Sequence, residues 1–260
     1  MRCASCHLLI SQPQASADEI TTFYRDAYYA GEFADAAAVD RETEALHNRY
    51  DIPLMQQLWA DWPPPPAASV VDIGCGYGSV FASFGRLGYR VVGCEPSLQA
   101  VAYCRSQGRD VREGVIPDVQ FDELFDVTVS LQVIEHVTDV RGFVRALVAA
   151  TRPGGIVVIT TEDAWNSQHA WERLLDRVRL RFPRFRSAYD HTYLFSAAHF
   201  ERLLREAGCD DVRTRAYSFN PDESLHWRVY KGTFRLIDRL LGRGDWLMAV
   251  GRVAATSRMP

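Results

Sequence analysis

Gly74, Gly76 and Gly78 fall at every second position after the apolar run Val70-Val71-Asp72-Ile73. Glycines so placed let a chain turn sharply out of a buried strand and let backbone approach a bound molecule closely, because no Cβ intervenes. A helix beginning near Ser79 would turn its free N–H groups toward the same point. Glu95 follows at the end of a second apolar run, Arg90–Cys94. A carboxylate there can accept hydrogen bonds from both hydroxyls of a ribose; the bland alternative is a surface acid in a strand-to-helix turn. Two further groups have reactive side chains at short spacing. Glu135 and His136 are adjacent, and Cys3 and Cys6 form a CxxC knuckle beside His7. A closed zinc site needs four ligands, and the chain has no second CxxC, so no metal is expected.

Two ligand classes suit a glycine loop followed by an acid. One is a dinucleotide, although Ser79 stands where G-x-G-x-x-G requires its third glycine. The other is S-adenosylmethionine, which has no phosphate and needs no pyrophosphate cradle.

The elements that must position these residues alternate. Strands are expected at 69–73, 90–94, near 109–113, 125–131, 156–161, 211–217 and 245–254. Helices are expected at 79–87, from a Ser97 cap to about 107, at 139–151 and at 196–208; Arg152-Pro153-Gly154-Gly155 reads as the stop of the third. This alternation predicts an α/β fold with a mostly parallel sheet and helices on both faces. Upstream, Ser16 and Glu19 have capping-box spacing. A second amphipathic stretch covers about 40–60, with Pro53 a candidate interruption. The four prolines 63–66 form a stiff connector, so residues 1–66 read as a helical cap and 67–260 as the main domain. Segments 162–195 and 218–244 interrupt the alternation and are candidate lids over an acceptor.

Taken in order, VVDIGCGYGSV, VVGCEPS, FDVTVSLQVIEHV and LVAATRPGGIVVIT resemble the class I S-adenosylmethionine-dependent methyltransferases over residues 67–217. They are most similar to the small-molecule branch that includes the ubiquinone-biosynthesis O-methyltransferases; DHTYLF (190–195) is similar to that branch too. The resemblance implies a Rossmann-like seven-stranded sheet of order 3-2-1-4-5-7-6 with strand seven antiparallel. It implies that Asp72, Gly74, Cys75, Gly76 and Gly78 hold the methionine moiety and that Glu95 binds the ribose. Pro96 and Ser97 would flank the adenine, Gly114 and Val115 would lie on it, and Gln132 and Val133 would face the sulfonium. The N-terminus resembles the second half of a zinc ribbon that precedes some of these enzymes, with the first CxxC missing.

Methyl transfer from a sulfonium is an in-line displacement in which the protein supplies alignment, water exclusion and, for a hydroxyl acceptor, a base. His136 is the leading candidate base, and its alternative role is to shape the pocket. Glu135 would orient it or hold a substrate hydroxyl. His191 and Tyr193 are second-rank candidates that could equally anchor the first insertion, and His169 and His226 could line the acceptor pocket. Residues 173–186 contain six arginines and one acid. They suit an anionic small-molecule acceptor or, preferably, an amphipathic lid helix.

A net charge of −4 over 260 residues gives no electrostatic reason to expect nucleic acid or an anionic membrane as partner. With no apolar run near the ~20 residues of a membrane span and no cleavable leader, a cytoplasmic location is the default expectation. The expected activity is methylation of a small molecule, at oxygen before nitrogen or carbon. A nicotinamide-dependent oxidoreductase and a non-catalytic cofactor-binding module are the competing readings.

Overall fold

The computed structural model describes residues 3, 8–10, 15–29, 33–163, 166–167, 171, 192–218 and 234–255. Most of both expected insertions lies outside these residues, as do His169, His191, His226, the arginine-rich 173–186, Cys6 and His7.

Seven strands form one sheet: β1 Ser69–Ile73, β2 Arg90–Glu95, β3 Val111–Glu113, β4 Phe125–Leu131, β5 Thr151–Glu162, β6 Cys209–Tyr217 and β7 Trp246–Val253. Their order is β3-β2-β1-β4-β5-β7-β6. β7 runs antiparallel to β5 and β6, and the remaining pairs are parallel. The order reverses direction at β1, so the carboxyl ends of β1, β2 and β4 border one crevice, where open α/β sheets bind ligands.

Alternate side chains of the strands enter two cores. On one face Val71, Ile73, Val157 and Ile159 pack with Phe143, Val144 and Leu147 of helix Val140–Ala149 and with Phe200 and Leu204 of helix Ala197–Ala207. On the other, Val70, Val127, Val129 and Val158 pack with Val80 and Phe84 of helix Ser79–Arg86. Burial on both faces is why these strands read as continuous apolar runs.

In chain order the helices are α1 Ala17–Asp26, α2 Ala36–Leu46, α3 Ile52–Leu58, α4 Ser79–Arg86, α5 Leu98–Ser106, α6 Val140–Ala149 and α7 Ala197–Ala207. Ser16 and Glu19 close the expected capping box on α1. Pro53 does not break its helix. It sits in the first turn of α3, where a missing N–H costs little, and a π turn, His47–Asp51, joins α2 to α3. Ile52, Met55 and Leu58 of α3 belong to the same core as Val70 and Val129.

The stop expected at 152–155 lies inside β5. α6 ends at Ala149, and β5 begins at Thr151 opposite Phe125, with a register shift before Ile156 pairs with Val127. Pro153 is tolerated there because the irregular pairing does not call for its N–H. Leu9–Ile10 pairs with Tyr193–Leu194 in a separate two-stranded sheet. Among the described residues no helix is long and apolar enough to cross a membrane.

Candidate active site

β1 delivers the chain into the glycine loop with Gly74 at φ +77°, its N–H donating to Cys94 O at 2.8 Å. A Cβ on Gly74 would run into the Val133 side chain. At Gly76 an added Cβ would lie 2.8 Å from the Tyr29 hydroxyl. These two positions therefore need glycine for close approach. Gly78 differs from expectation. It is the left-handed N-cap of α4, does not line the cavity, and would press a Cβ against Arg109 and Cys104.

Glu95 is buried at the end of β2. Its Oε2 accepts from Gly76 N at 2.9 Å and its Oε1 from Ser97 N at 2.9 Å. Burial raises its pKa to about 7 against the pull of these two backbone donors. Asp72, also buried, is raised to about 7 by desolvation, with His47 acting in the opposite direction. Burial and the charge of Glu95 push the Tyr29 phenol well above its ordinary value, so it remains a neutral donor.

A cavity of about 640 Å³ opens over this loop. Asp72, Gly74, Cys75, Gly76, Glu95, Pro96, Gly114, Val115, Gln132, Val133 and His136 all line it. Ser97 instead caps α5, its Oγ accepting from Ala100 N at 3.3 Å. Tyr193 does not line the cavity. Its hydroxyl donates to Thr138 O at 3.0 Å, which fits the anchoring role. His191 lies outside the described residues.

Beyond β4, Gln132 takes a left-handed backbone (φ +59°) and starts the turn that carries Ile134–His136. Glu135 is buried and does not line the cavity. In the amide orientation that satisfies both of its ends, Gln132 donates to Glu135 Oε1 at 3.0 Å and accepts from Thr160 Oγ1 at 3.1 Å. Glu135 Oε1 lies 4.0 Å from His136 Nε2, and the Tyr24 ring packs on the imidazole with centroids 5.2 Å apart. Among the described residues no cluster of His, Cys, Asp and Glu is arranged to hold a metal ion.

The opposite wall was not anticipated. Tyr24, Tyr28, Tyr29 and Phe33 form an aromatic run over the cavity, with Tyr28 stacked on Phe33 at 5.1 Å. Asp40, Thr43 and His47 also line it. Their i, i+3, i+7 spacing was a readable sign of one polar helix face. His47 Nδ1 and Asp51 Oδ2 are 2.7 Å apart, and Asp51 also accepts a hydrogen bond from Tyr217 OH.

Comparison with known proteins fits this geometry. Residues 40–214 match the methyltransferase-domain family. A ubiquinone biosynthesis O-methyltransferase of Rhodopseudomonas palustris is 37% identical over 98 residues, 35% of this chain and 39% of that protein. The chain thus spans about two-fifths of the length of the curated relatives it matches. A SAM-dependent methyltransferase from Thermotoga maritima superposes with TM-score 0.56 at 18% identity, covering 83% of this chain and 95% of that one. Phosphoethanolamine N-methyltransferase 2 of Haemonchus contortus, in complex with S-adenosyl-L-methionine, superposes with TM-score 0.55 at 16% identity, covering 89% and 60%. At such identities the two structures show a shared fold.

The cradle fits that cofactor: two glycines leave space a Cβ would fill, and a fixed carboxylate stands at the end of β2. The match across most of the chain and the shared sheet make this protein a member of the class I S-adenosylmethionine-dependent methyltransferases.

Proposed function

We propose that the chain methylates a hydroxyl group of a small molecule, with His136 as the base. The observation that carries this reading is the place of His136, on the cavity wall just past β4 and beside Gln132 and Val133. S-adenosylmethionine, when bound, supplies a methyl group made electrophilic by its sulfonium. The protein's share is to hold, align and deprotonate. Glu95, its carboxylate fixed by two backbone N–H groups, would hold the ribose hydroxyls. Gly74 and Gly76 admit the amino-acid tail, and Pro96, Gly114 and Val115 lie along the adenine side.

His136 Nδ1 is buried, so Nε2 is the atom to take the hydroxyl proton, and Glu135 at 4.0 Å stabilises the imidazolium that forms. Tyr24 packs on the same ring. The aromatic wall of Tyr24, Tyr28 and Phe33 suits an acceptor with an apolar body and excludes water from the transfer. The oxygen-methylating relative supports the same choice of acceptor atom.

A second reading is methylation of an amine. Asp18, Asp118 and Asp139 line the cavity, and no Lys or Arg does so among the described residues, which favours a cationic acceptor. A labelled-methyl assay over phenols, catechols, aliphatic alcohols and amines tests both. Turnover of hydroxyl compounds that collapses in His136→Ala supports the first reading. Turnover of amines alone overturns it.

A further inference from the structure

We propose that Cys75 and Cys104 form an oxidative modification site in the glycine loop, where a small peroxide joins the two thiols as a disulfide and so closes the loop to the cofactor.

Cys75 stands between Gly74 and Gly76, and Cys104 lies near the end of α5. Both are free thiols, and both are buried. Their Sγ atoms lie 3.8 and 3.4 Å from one acceptor, the Gly76 carbonyl oxygen, and the two thiols share a hydrogen bond. With Val101 and Val111 they make a small apolar core of their own. Cys75 also lines the cavity, so a solute that enters there meets its sulfur first.

The pair divides its protons unevenly. Cys75 donates the shared bond, which together with burial pushes its thiol well above the ordinary value. The same bond and the Arg109 guanidinium lower Cys104, so Cys104 is the first of the two to hold a thiolate. Cys94 and Cys209 are pushed up to about 12 by burial and stay protonated. An acidified thiol touching a second thiol on a cavity wall is the arrangement that peroxide-reactive cysteine pairs use.

The chemistry balances with hydrogen peroxide as the oxidant. Cys104 first releases its proton to solvent. The Cys75 sulfur attacks one peroxide oxygen while its own proton passes to Cys104; an S–O bond forms, the O–O bond breaks, and the departing hydroxide takes the proton from Cys104 to become water. The Cys104 thiolate then attacks the Cys75 sulfur. The S–S bond forms, the S–O bond breaks, and the second hydroxide recovers a proton from solvent. Two thiols and one peroxide give one disulfide and two waters, with sulfur oxidised and peroxide oxygen reduced.

The new bond is shorter than the hydrogen-bonded contact that it replaces, so it draws Cys75 toward α5. Gly74 N and Cys75 N both donate to Cys94 O, and Gly76 N donates to Glu95 Oε2. Moving Cys75 disturbs these ties to the end of β2, and with them the space over Gly74 and Gly76. By linkage, bound cofactor disfavours the disulfide to the same degree. The site does not depend on the acceptor or on His136.

The test is to oxidise the purified protein with hydrogen peroxide, alkylate the remaining thiols, map the peptides by mass and titrate S-adenosylhomocysteine calorimetrically. Peptides joined through Cys75 and Cys104 are expected, with an affinity at least ~10-fold weaker than in the reduced protein. Dithiothreitol should reverse both. Cys104→Ala is expected to bind close to wild-type affinity and to keep it through peroxide treatment; Cys104→Ser gives the same comparison where the alanine variant does not fold. Cys75 and Cys104 both alkylated after oxidation overturns the site. So does a joined pair with unchanged affinity, and so does an equal loss of affinity in the oxidised variant, which would place the damage elsewhere. Reduced wild type that does not bind S-adenosylhomocysteine overturns the cofactor assignment and the inhibition with it, while the peptide map still decides the disulfide.

Discussion

One carboxylate oxygen of Glu95 accepts the Gly76 N–H at 2.9 Å, nineteen residues back along the chain. The end of β2 is thereby tied to the middle of the glycine loop, and the acid that would meet the ribose also holds the loop that would meet the tail. Glu95→Ala removes both functions. Each charge-assisted bond contributes roughly 1.5–3 kcal/mol, so S-adenosylhomocysteine affinity should fall ~10- to 1,000-fold in a titration. Unchanged affinity would remove Glu95 from the site.

Asp72 titrates near 7 because burial disfavours its charge. A carboxyl raised in the folded state contributes stability that is full below its unfolded pKa, near 4, and is lost as pH climbs through about 7. Without cofactor, Asp72→Asn should therefore be more stable than wild type by ~1–3 kcal/mol at pH 8, the gain vanishing toward pH 4. Thermal unfolding of both proteins across that range reads it directly. A gain that grows as pH falls would contradict the sign.

His136→Ala should leave S-adenosylhomocysteine binding intact and slow methylation of a hydroxyl acceptor ~10²–10⁴-fold. Normal turnover in the variant would end the case for a base at this position.

Asp40 is buried on α2. Its Oδ2 accepts from Arg109 Nη2 at 2.9 Å and from Tyr103 OH at 3.0 Å, while Arg109 Nη1 donates to Tyr77 O in the glycine loop. Asp40→Ala strands a mostly buried guanidinium and should cost ~2–4 kcal/mol in denaturant unfolding. Glu44→Ala, also on α2, breaks an exposed pair with Arg86 of α4 and should cost less than ~1 kcal/mol. Equal costs would show that Asp40 does not secure α2 to the loop.

The parts of the site legible in the sequence are those written within a few residues. Ser69–Ile73 and Phe125–Leu131 read as strands because parallel strands buried on both faces are short apolar runs. The α7 boundary followed from Ser196 and from Gly208, which takes the left-handed cap. Resemblance to a known family, rather than periodicity, supplied the strand order. Misreadings arose where one signal had two uses. Gly154 and Pro153 look like a helix stop yet sit in an irregular strand, α6 having already ended at Ala149.

Local chain chemistry was enough for the glycine turn, the acid that follows it and the helix caps, because each depends on backbone conformation and neighbours a few positions away. The far wall of the cavity depends on contacts across the whole chain. Tyr24 meets His136, and Tyr217 meets Asp51 across 166 residues. Such meetings follow from how helices that share the sheet's core are carried over the ends of its strands. No local pattern encodes them, because packing selects a helix face without naming the residues it will oppose.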